Sequence, residues 1–255
     1  MIRGLYSAAA GLITGLFRQD IIANNLANVN TPGYKKDDAS LRSFPAVLIR
    51  QMGGRLFPFQ PSLIEGVGVM GTGVLVDERL VDLEQGQLQQ TKIPLDLAIS
   101  GQGFFALQSP NGVVYTRDGH FDVDAQGLLV NAEGFPVLGQ GGPIHLQGGQ
   151  VQILEDGTVL EDGIAVDQLR LASFAPEVLV RAGHTNFSLA AGAQEQPVSG
   201  RVVQGALEAS NVNPTQTMTS MIDVLRLYES SQRVLEIQNE TLKRAVNDIG
   251  RVGNA

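Results

Sequence analysis

Apolar residues recur at helical spacing near the start of the chain, from Gly4 to Asn28. They fill two adjoining rows of one helix face: Leu5, Leu12 and Leu26, with Gln19 in the same register, and beside them Ala9, Leu16 and Ala23. The pattern stops at Thr31-Pro32-Gly33, because proline disfavours helical geometry in its predecessor and glycine accepts a turn. The sequence therefore predicts an N-terminal helix.

A second and longer helical pattern fills the C-terminal part of the chain. Asn213 fits an N-cap and Pro214 the first helical position. One apolar row has a member every seven residues: Met221, Tyr228, Leu235, Leu242 and Ile249. A companion row reads Met218, Leu225, Gln232, Asn239 and Val246. From Pro214 to Ile249 the helix would be about 54 Å long, so it needs a partner helix. We expect the two terminal helices to pair as an antiparallel coiled coil.

The middle of the chain carries strand patterns and turn signals. Residues 34–70 are irregular and rich in Pro, Gly and Phe, which indicates an extended arm. From Gly71 to Gly205 short apolar runs alternate with turn dipeptides: Asn111-Gly112, Asp118-Gly119, Gln126-Gly127, Glu133-Gly134, Asp156-Gly157 and Asp162-Gly163. This pattern predicts a mainly antiparallel β domain, folded as a small barrel or sandwich of short strands.

The predicted fold class is thus α+β, with four segments along the chain. Residues 1–33 form the N-terminal helix of a core domain, and 34–70 an arm or linker. Residues 71–205 form an outer β-rich domain, and 206–255 the C-terminal helix of the core domain. Both chain ends are helical, which is the plan of a subunit for helical assembly more than of an enzyme.

Composition removes several classes of function. The net charge of −8 argues against binding to nucleic acid or to an anionic membrane surface. The absence of cysteine excludes disulfides, thiol catalysis and cysteine metal sites. No run of about 20 apolar residues is present, so membrane insertion is not expected. The first twenty residues resemble a signal peptide, but the helical pattern runs on through Arg18 and Asp20, so we expect no cleavage.

Two motifs point to ligand chemistry, and both have a simpler explanation. Gly66 to Gly71 matches the dinucleotide fingerprint G-x-G-x-x-G, but a strand pattern follows where the chemistry needs a helix. Asp122 and Asp124 fall at the spacing of a calcium loop, but their neighbours read as strand, which favours an Asp-rich hairpin turn. We expect no cofactor, no metal and no catalytic residues.

Several blocks of the sequence are similar to bacterial flagellar axial proteins, the rod and hook family. They are DIIANNLANVNTPGY (20–34), LDLAISGQGFF (95–105), YTRDGHFDVDAQGLLV (115–130) and GALEASNVNP (205–214). The family motif falls on Asn24, Asn25, Leu26, Ala27, Asn28, Thr31, Pro32 and Gly33, and again on Asn211, Val212 and Asn213. The resemblance covers the whole chain, and its length is that of a rod subunit. It leaves open the proximal and the distal rod type, with 135–144 favouring the proximal one.

The resemblance implies a structural, non-enzymatic subunit of the basal-body rod, the driveshaft that crosses the periplasm. Its partners would be copies of itself and other rod and hook proteins. It would leave the cell through the flagellar type III export machinery without a cleaved signal peptide. Assembly would use the apolar rows of the terminal helices: Leu5, Ala9, Leu12, Leu16, Leu26, Met218, Met221, Leu225, Tyr228, Leu235, Leu242 and Ile249.

Two other classes of function stay open at this stage. One is an enzyme of cell-wall or nucleotide chemistry, which a pocket with a perturbed carboxylate would favour. The other is a secreted calcium-dependent adhesin or surface assembly protein, which an ion bound at Asp122 and Asp124 would favour.

Overall fold

The structure is a computed structural model that describes residues 2–43, 47–50, 66–70, 74–190 and 192–252. Within these residues the helices are α1 (Ile2–Ala27) and α2 (Pro214–Val252). The strands are β1 (Asp37–Ser43), β2 (Val47–Arg50), β3 (Gly66–Met70), β4 (Val74–Val81), β5 (Leu88–Gln90), β6 (Leu97–Ser100), β7 (Phe104–Ser109), β8 (Gly112–Thr116), β9 (Phe121–Val123), β10 (Leu129–Asn131), β11 (Val151–Ile153), β12 (Thr158–Glu161), β13 (Ile164–Gln168), β14 (Leu171–Ala172), β15 (Leu179–Arg181), β16 (Asn186–Leu189), β17 (Arg201–Gln204) and β18 (Ala206–Glu208). A 3-10 turn, Pro176–Val178, precedes β15.

Both helices lie where the sequence predicted them. After the last turn of α1, the Asn28 side-chain amide donates to the Asn24 carbonyl at 2.9 Å, which satisfies a group that the helix end exposes. Helix α2 begins at Pro214, whose fixed φ suits a first helical position and whose missing N–H would have had no partner there. Among the described residues, no helix is both long enough and apolar enough to cross a membrane.

The chain divides into two compact units. The first consists of Met1–Ala23, Ala39–Arg79 and Thr215–Ala255, and the second of Asn24–Asp38 and Leu80–Pro214. In the first unit the Thr14 hydroxyl donates to the Val74 carbonyl at 3.3 Å. There the Arg79 guanidinium lies 5.7 Å from the centre of the Phe17 ring and 3.4 Å from Asp20 Oδ2. These contacts join β4 to α1 in the first unit.

The second unit contains the larger sheets and the apolar core. Its largest sheet has the strand order β14-β7-β8-β16-β15, with antiparallel neighbours throughout. Because neighbouring side chains of a strand point to opposite faces, Phe104 and Phe105 of β7 enter different clusters. Phe105 packs with Phe121 at 5.3 Å between ring centres, and Phe104 packs with Phe187 at 5.8 Å. The five-stranded sheet therefore has buried side chains on both faces.

The predicted barrel or sandwich is wrong. The described strands form seven separate small sheets, and none of them closes into a barrel. Several turn signals do mark local hairpins, such as β7–β8 and β12–β13. However, β16, β17 and β18 return to pair with β8, β6 and β5. Turn dipeptides indicate only pairs that are adjacent in sequence, so they could not indicate these long-range pairings.

The predicted antiparallel coiled coil is not what the structure shows. The row of α1 that faces α2 carries Gly4, Gly11 and Gly15, where a Cβ would lie within 3.2–3.8 Å of Gln238, Ser231 and Tyr228 respectively. A coiled-coil seam needs large apolar side chains that enter holes on the partner helix. Here glycines meet mainly polar side chains, so these contacts do not form such a seam.

Two parts of the predicted arm, residues 44–46 and 51–65, lie outside the described residues, and so does the side chain of Ile249. The four-segment division of the chain remains a prediction.

Candidate functional site

The family motif folds into a network of buried hydrogen bonds in the second unit. The Asn25 side chain is buried, donates to the Asp37 carbonyl at 2.8 Å and accepts from the Asp37 N–H at 2.9 Å. The Tyr34 hydroxyl lies 2.8 Å from Asn24 Oδ1 and 3.1 Å from Asn25 Oδ1. The amide of Asn25 thus pairs with the backbone of β1 as a neighbouring strand would, and fixes the chain where it leaves α1.

Arg181 of β15 closes this network from the other side. Its Nη2 donates to the Lys35 carbonyl at 2.6 Å and to Asp37 Oδ1 at 2.9 Å. Its guanidinium carbon lies 4.8 Å from the centre of the Tyr34 ring and 5.2 Å from that of Phe187. A guanidinium this close to two aromatic rings is stabilised by cation–π attraction to each. The segment after α1 is therefore attached to the edge of the five-stranded sheet.

Three charged side chains form a buried centre beside the network. Lys35, Arg117 and Glu208 are 1%, 4% and 1% exposed. Glu208 Oε1 accepts from Lys35 Nζ at 2.5 Å and from the Gly86 N–H at 2.9 Å, while Oε2 accepts from Arg117 Nη1 at 3.1 Å. We call Lys35, Arg117 and Glu208 the clasp, because they join segments that are far apart in the chain.

The clasp is held by backbone carbonyls as well as by charge. Lys35 Nζ donates to the Glu84 carbonyl at 2.7 Å, and Arg117 Nη2 donates to the Gly101 carbonyl at 2.7 Å. Burial lowers the pKa of Lys35 and that of Arg117, and the nearby Glu208 carboxylate opposes both shifts without cancelling them. Two cations thus share one carboxylate in a water-poor site, where a lost partner is costly.

Gly33 shows why the motif needs a glycine next to the clasp. Its φ is +65°, and its N–H donates to the Glu208 carbonyl at 2.7 Å. A Cβ at this position would lie 2.2 Å from the backbone nitrogen of Asp118. Only glycine satisfies both the left-handed conformation and this close approach.

The second half of the motif lies on the same side of the second unit. The Asn211 side chain accepts from the Lys36 N–H at 2.8 Å and donates to the carbonyls of Asp82 and Glu84 at 3.0 and 3.2 Å. Val212 is buried, and Asn213 directly precedes α2.

The remaining residues of the first half of the motif lie around the end of α1. Thr31 Oγ1 lies 3.3 Å from Asn28 Oδ1, while Pro32 and Leu26 are half-buried and Ala27 is exposed. The two halves of the motif thus act on one region.

The residues of the predicted apolar rows differ in how exposed their side chains are. In α2 the residues Met221, Tyr228, Leu235 and Leu242 are half-buried, whereas Met218 and Leu225 of the companion row are exposed. In α1 the residues Leu5, Ala9 and Leu12 are half-buried, and Leu16 is exposed.

The sequence did not identify the charged residues of the clasp or Arg181 as functional. Each clasp residue lies in or next to a block that carried the family resemblance, but no local sequence pattern indicates a buried ion pair. Glu208 is 173 positions from Lys35 and 91 positions from Arg117 in the chain. One indirect indication was present in the sequence. Lys35 directly follows the family block 20–34, and Glu208 lies within the family block 205–214.

The other candidate sites have structural explanations. Gly66–Met70 of the dinucleotide-like motif forms β3, so this glycine run does not open a helix there. Asp124 Oδ1 accepts the N–H groups of Gln126 and Leu128 at 2.9 and 2.8 Å, as a turn residue does. Over the described part of the chain, no group of three or more acidic, His or Cys side chains could hold a metal ion.

Comparisons with known proteins cover the same segments. The family described as flagella basal body rod protein matches residues 5–35, the flagellar hook protein FlgE/F/G D1 domain matches 98–167, and the flagellar basal body rod FlgEFG protein C-terminal domain matches 203–248. The flagellar basal-body rod protein FlgF of Caulobacter vibrioides is 34% identical over 94% of this chain and 98% of its own length. The chain belongs to the flagellar basal-body rod protein family.

Two further relatives of this rod-family protein match over nearly their whole length. FlgG of Borreliella burgdorferi is 33% identical over 97% of this chain and 98% of the relative. The flagellar hook-basal body complex protein FlhO of Bacillus subtilis is 30% identical over 99% of this chain and all of the relative. These relatives support a structural rod subunit and do not support the adhesin alternative. Each of Lys35, Arg117 and Glu208 lies in a different matched segment.

Proposed function

We propose that this rod-family protein is a structural subunit of the flagellar basal-body rod and polymerises through its terminal helices. The observation that supports this most is the match to rod proteins along the whole chain, helices included. In the filament the subunits transmit torque across the periplasm. Helix α2 has 39 residues and is therefore about 58 Å long, enough to span several neighbours in a helical array.

The exposed apolar side chains of the two helices support an assembly role for them. Tyr6, Ile13 and Leu16 of α1, and Met218 and Ile222 of α2, are each at least half exposed. Contiguous apolar surface on a regular element marks a protein–protein contact more than a free surface. The assembly interface that we propose is the one expected from the sequence: Leu5, Ala9, Leu12, Leu16, Leu26, Met218, Met221, Leu225, Tyr228, Leu235, Leu242 and Ile249. Of these, Leu16, Met218 and Leu225 are exposed.

The proposed partners are copies of this chain and other rod and hook proteins. We infer export through the flagellar type III machinery without a cleaved signal peptide, and a role that involves no catalysis, no nucleic acid and no membrane insertion. The core helices of residues 1–33 and 206–255 would form the inner part of the rod, with the arm of 34–70 and the β-rich segment of 71–205 as its outer parts.

The clasp has a supporting role in this function. It attaches the chain between α1 and β1 to the chain between β18 and α2, all within the second unit. A subunit under torque receives force through its helices, so the points where the helices join the second unit must not open. Buried charges with several hydrogen bonds each suit such a junction, because their separation leaves unpaired charge behind.

Deletion of the chain in a flagellated bacterium that carries it tests the proposed function. We expect isolated basal bodies to lack a complete rod in electron micrographs, and the cells to be non-motile. The wild-type chain should restore both, whereas Leu12→Asp or Leu235→Asp should not. Thr219→Asp, on an exposed face of α2, is the matched control and should restore both. Complete rods in the deletion strain would overturn the proposal.

A further inference from the structure

The turn of the β7–β8 hairpin carries the one asparagine of the chain that glycine follows, Asn111. Strand β7 ends at Ser109 and β8 begins at Gly112, so Pro110 and Asn111 form the whole turn. Both turn residues and Gly112 are exposed. A Cβ at Gly112 would meet no atom within 4 Å, so the space beside the Asn111–Gly112 peptide bond is open to water.

The side chain of Asn111 is free to turn toward the backbone. The Asn111 N–H donates to Ser109 Oγ at 3.3 Å, but within the described residues the side-chain amide of Asn111 makes no hydrogen bond. The next peptide nitrogen belongs to Gly112, which has no side chain to shield it from the Asn111 amide carbon. Because the two atoms belong to one short stretch of chain, their reaction is intramolecular and has a high effective concentration.

The pairing of the strands slows this reaction without preventing it. Ser109 and Gly112 are the last register pair of β7 and β8, next to the turn. The end of a hairpin opens far more easily than the interior of a sheet. The rest of β7 and β8 stays in place during such an opening, because β14 pairs with β7 and β16 with β8.

We propose that Asn111 is a site of spontaneous deamidation in the folded protein. The Gly112 nitrogen loses its proton to water and forms a bond to Asn111 Cγ. The bond from Cγ to the side-chain nitrogen breaks, and this nitrogen leaves as ammonia. The five-membered succinimide ring that results takes up one water molecule at either of its carbonyl groups, which gives aspartate or isoaspartate. Water is the only co-reactant in these steps.

The other asparagines of the chain lack a following glycine, and several are held in place. Leucine follows Asn25 and phenylalanine follows Asn186, and such side chains hinder the attacking nitrogen. The Asn25 amide also donates to the Asp37 carbonyl at 2.8 Å, and the Asn186 amide to Glu133 Oε2 at 2.9 Å. The reaction should therefore be concentrated at Asn111.

Deamidation of Asn111 would mark the age of a molecule without unfolding it. Either product adds one negative charge to a chain whose net charge is −8, and isoaspartate also lengthens the backbone by one carbon atom. Both changes fall in an exposed turn outside the apolar clusters. The modified fraction should rise with the time since synthesis, while the melting temperature changes little. This inference goes beyond the proposed function and does not depend on it.

Ageing of the purified full-length protein tests the proposal. Samples are kept at mildly alkaline pH and 37 °C for increasing times, digested, and analysed by liquid chromatography and mass spectrometry, with a zero-time sample to correct for conversion during digestion. The peptide that contains Asn111 should convert with first-order kinetics to aspartate and isoaspartate forms, several-fold faster than any other asparagine. An isoaspartate methyltransferase should methylate the isoaspartate form. Asn111→Gln is the matched control, because glutamine cannot form the five-membered ring, and should show no conversion at this position.

Wild-type protein unfolded in urea and aged in parallel gives the rate of the same sequence without its fold. The unfolded protein should react faster at Asn111 than the folded protein, which should still convert measurably. Conversion at Asn111 only in urea would show that the hairpin blocks the attack, and would overturn the proposal. Faster conversion of another asparagine in the folded protein would also overturn it.

Discussion

Lys35 and Glu208 are separated by 173 positions in the chain, yet the Lys35 ammonium lies 2.5 Å from Glu208 Oε1 in the interior of the second unit. Neither side chain is exposed, and both also bond to the backbone of 84–86. Desolvation of such a pair costs about as much as its attraction returns, so its net contribution to stability is small. The pair matters because separation of Lys35 from Glu208 would leave a buried charge without its partner, which is strongly unfavourable. The chain around Lys35 and the chain around Glu208 are therefore held together.

Removal of Glu208 should destabilise the protein more than removal of Lys35. Glu208→Gln leaves Lys35 and Arg117 buried without a carboxylate, which should cost about 3–5 kcal/mol. Lys35→Met leaves Glu208 paired with Arg117, so its cost should be smaller. Urea unfolding followed by far-UV circular dichroism compares the two. Equal losses, or a larger loss for Lys35→Met, would contradict the described charge balance.

Gly33→Ala should be strongly destabilising although it adds one methyl group. The left-handed backbone alone costs about 1–2 kcal/mol for an L-residue, and the 2.2 Å approach to Asp118 adds to it. We expect a lower melting temperature and weaker hydrogen-exchange protection of 33–36. Gly134→Ala is a control with a similar φ of +80° but open space around it, so it should lose only the conformational part. Equal losses at both positions would show that the close approach is unimportant.

Asp118→Asn should stabilise the protein near neutral pH. Burial raises the pKa of Asp118, and the neighbouring Asp96 and Glu133 raise it further, against the lowering effect of the His120 N–H and imidazole. A raised carboxyl pKa means that the folded state binds the proton more tightly, so the ionised carboxylate costs stability above that pKa. The cost disappears as the pH falls through the raised pKa toward 3.8. Asparagine keeps an oxygen for the His120 N–H without the charge.

Melting temperatures of wild type and Asp118→Asn between pH 4 and pH 8 measure this effect. The gap between the two proteins should narrow as the pH falls. Asp156 lies at an exposed turn, where hydrogen bonds of Thr158 lower the pKa of its carboxyl. Asp156→Asn should therefore be less stable than wild type above pH 4, which is the opposite of the effect expected for Asp118→Asn. A difference in melting temperature between wild type and Asp118→Asn that widens at low pH would contradict a raised pKa of Asp118.

Joint replacement of Asp122 and Asp124 by Asn should leave assembly intact, with modest effects on the turn. Asparagine at 124 still accepts the N–H groups of Gln126 and Leu128 that define this turn. Isothermal calorimetry with calcium should show no micromolar binding by the wild type. Calcium binding that the double replacement abolishes would mean that the hairpin is an ion site.

The helices could be predicted from the sequence because helical order is local. The position of Pro214 at the start of α2 and the seven-residue row from Met221 followed from residues within a few turns of one another. Local hairpins such as that at Asp162-Gly163, where both residues have positive φ, were equally accessible. These features depend on backbone sterics and spacing alone.

The sheet pairings and the clasp could not be predicted in this way. Pairing of β17 with β6 joins residues about a hundred positions apart, and no turn dipeptide records it. The contact of α1 with α2 depends more on local composition: Gly11 and Gly15 carry no side chain and let another helix approach closely, and a Cβ at these positions would lie 3.3 and 3.8 Å from Ser231 and Tyr228 respectively.

Hydrogen exchange of α2 in the free monomer and in the assembled state tests most directly whether the terminal helices carry assembly. Helices without enough packing are marginal in water, and ordering costs about 1–2 kcal/mol per residue. We therefore predict weak protection of 218–249 in a verified monomer and strong protection after assembly, with 97–202 protected in both. Leu235→Asp should abolish the gain without altering 97–202. Strong protection of 218–249 in the monomer, unchanged on assembly, would contradict assembly through these helices.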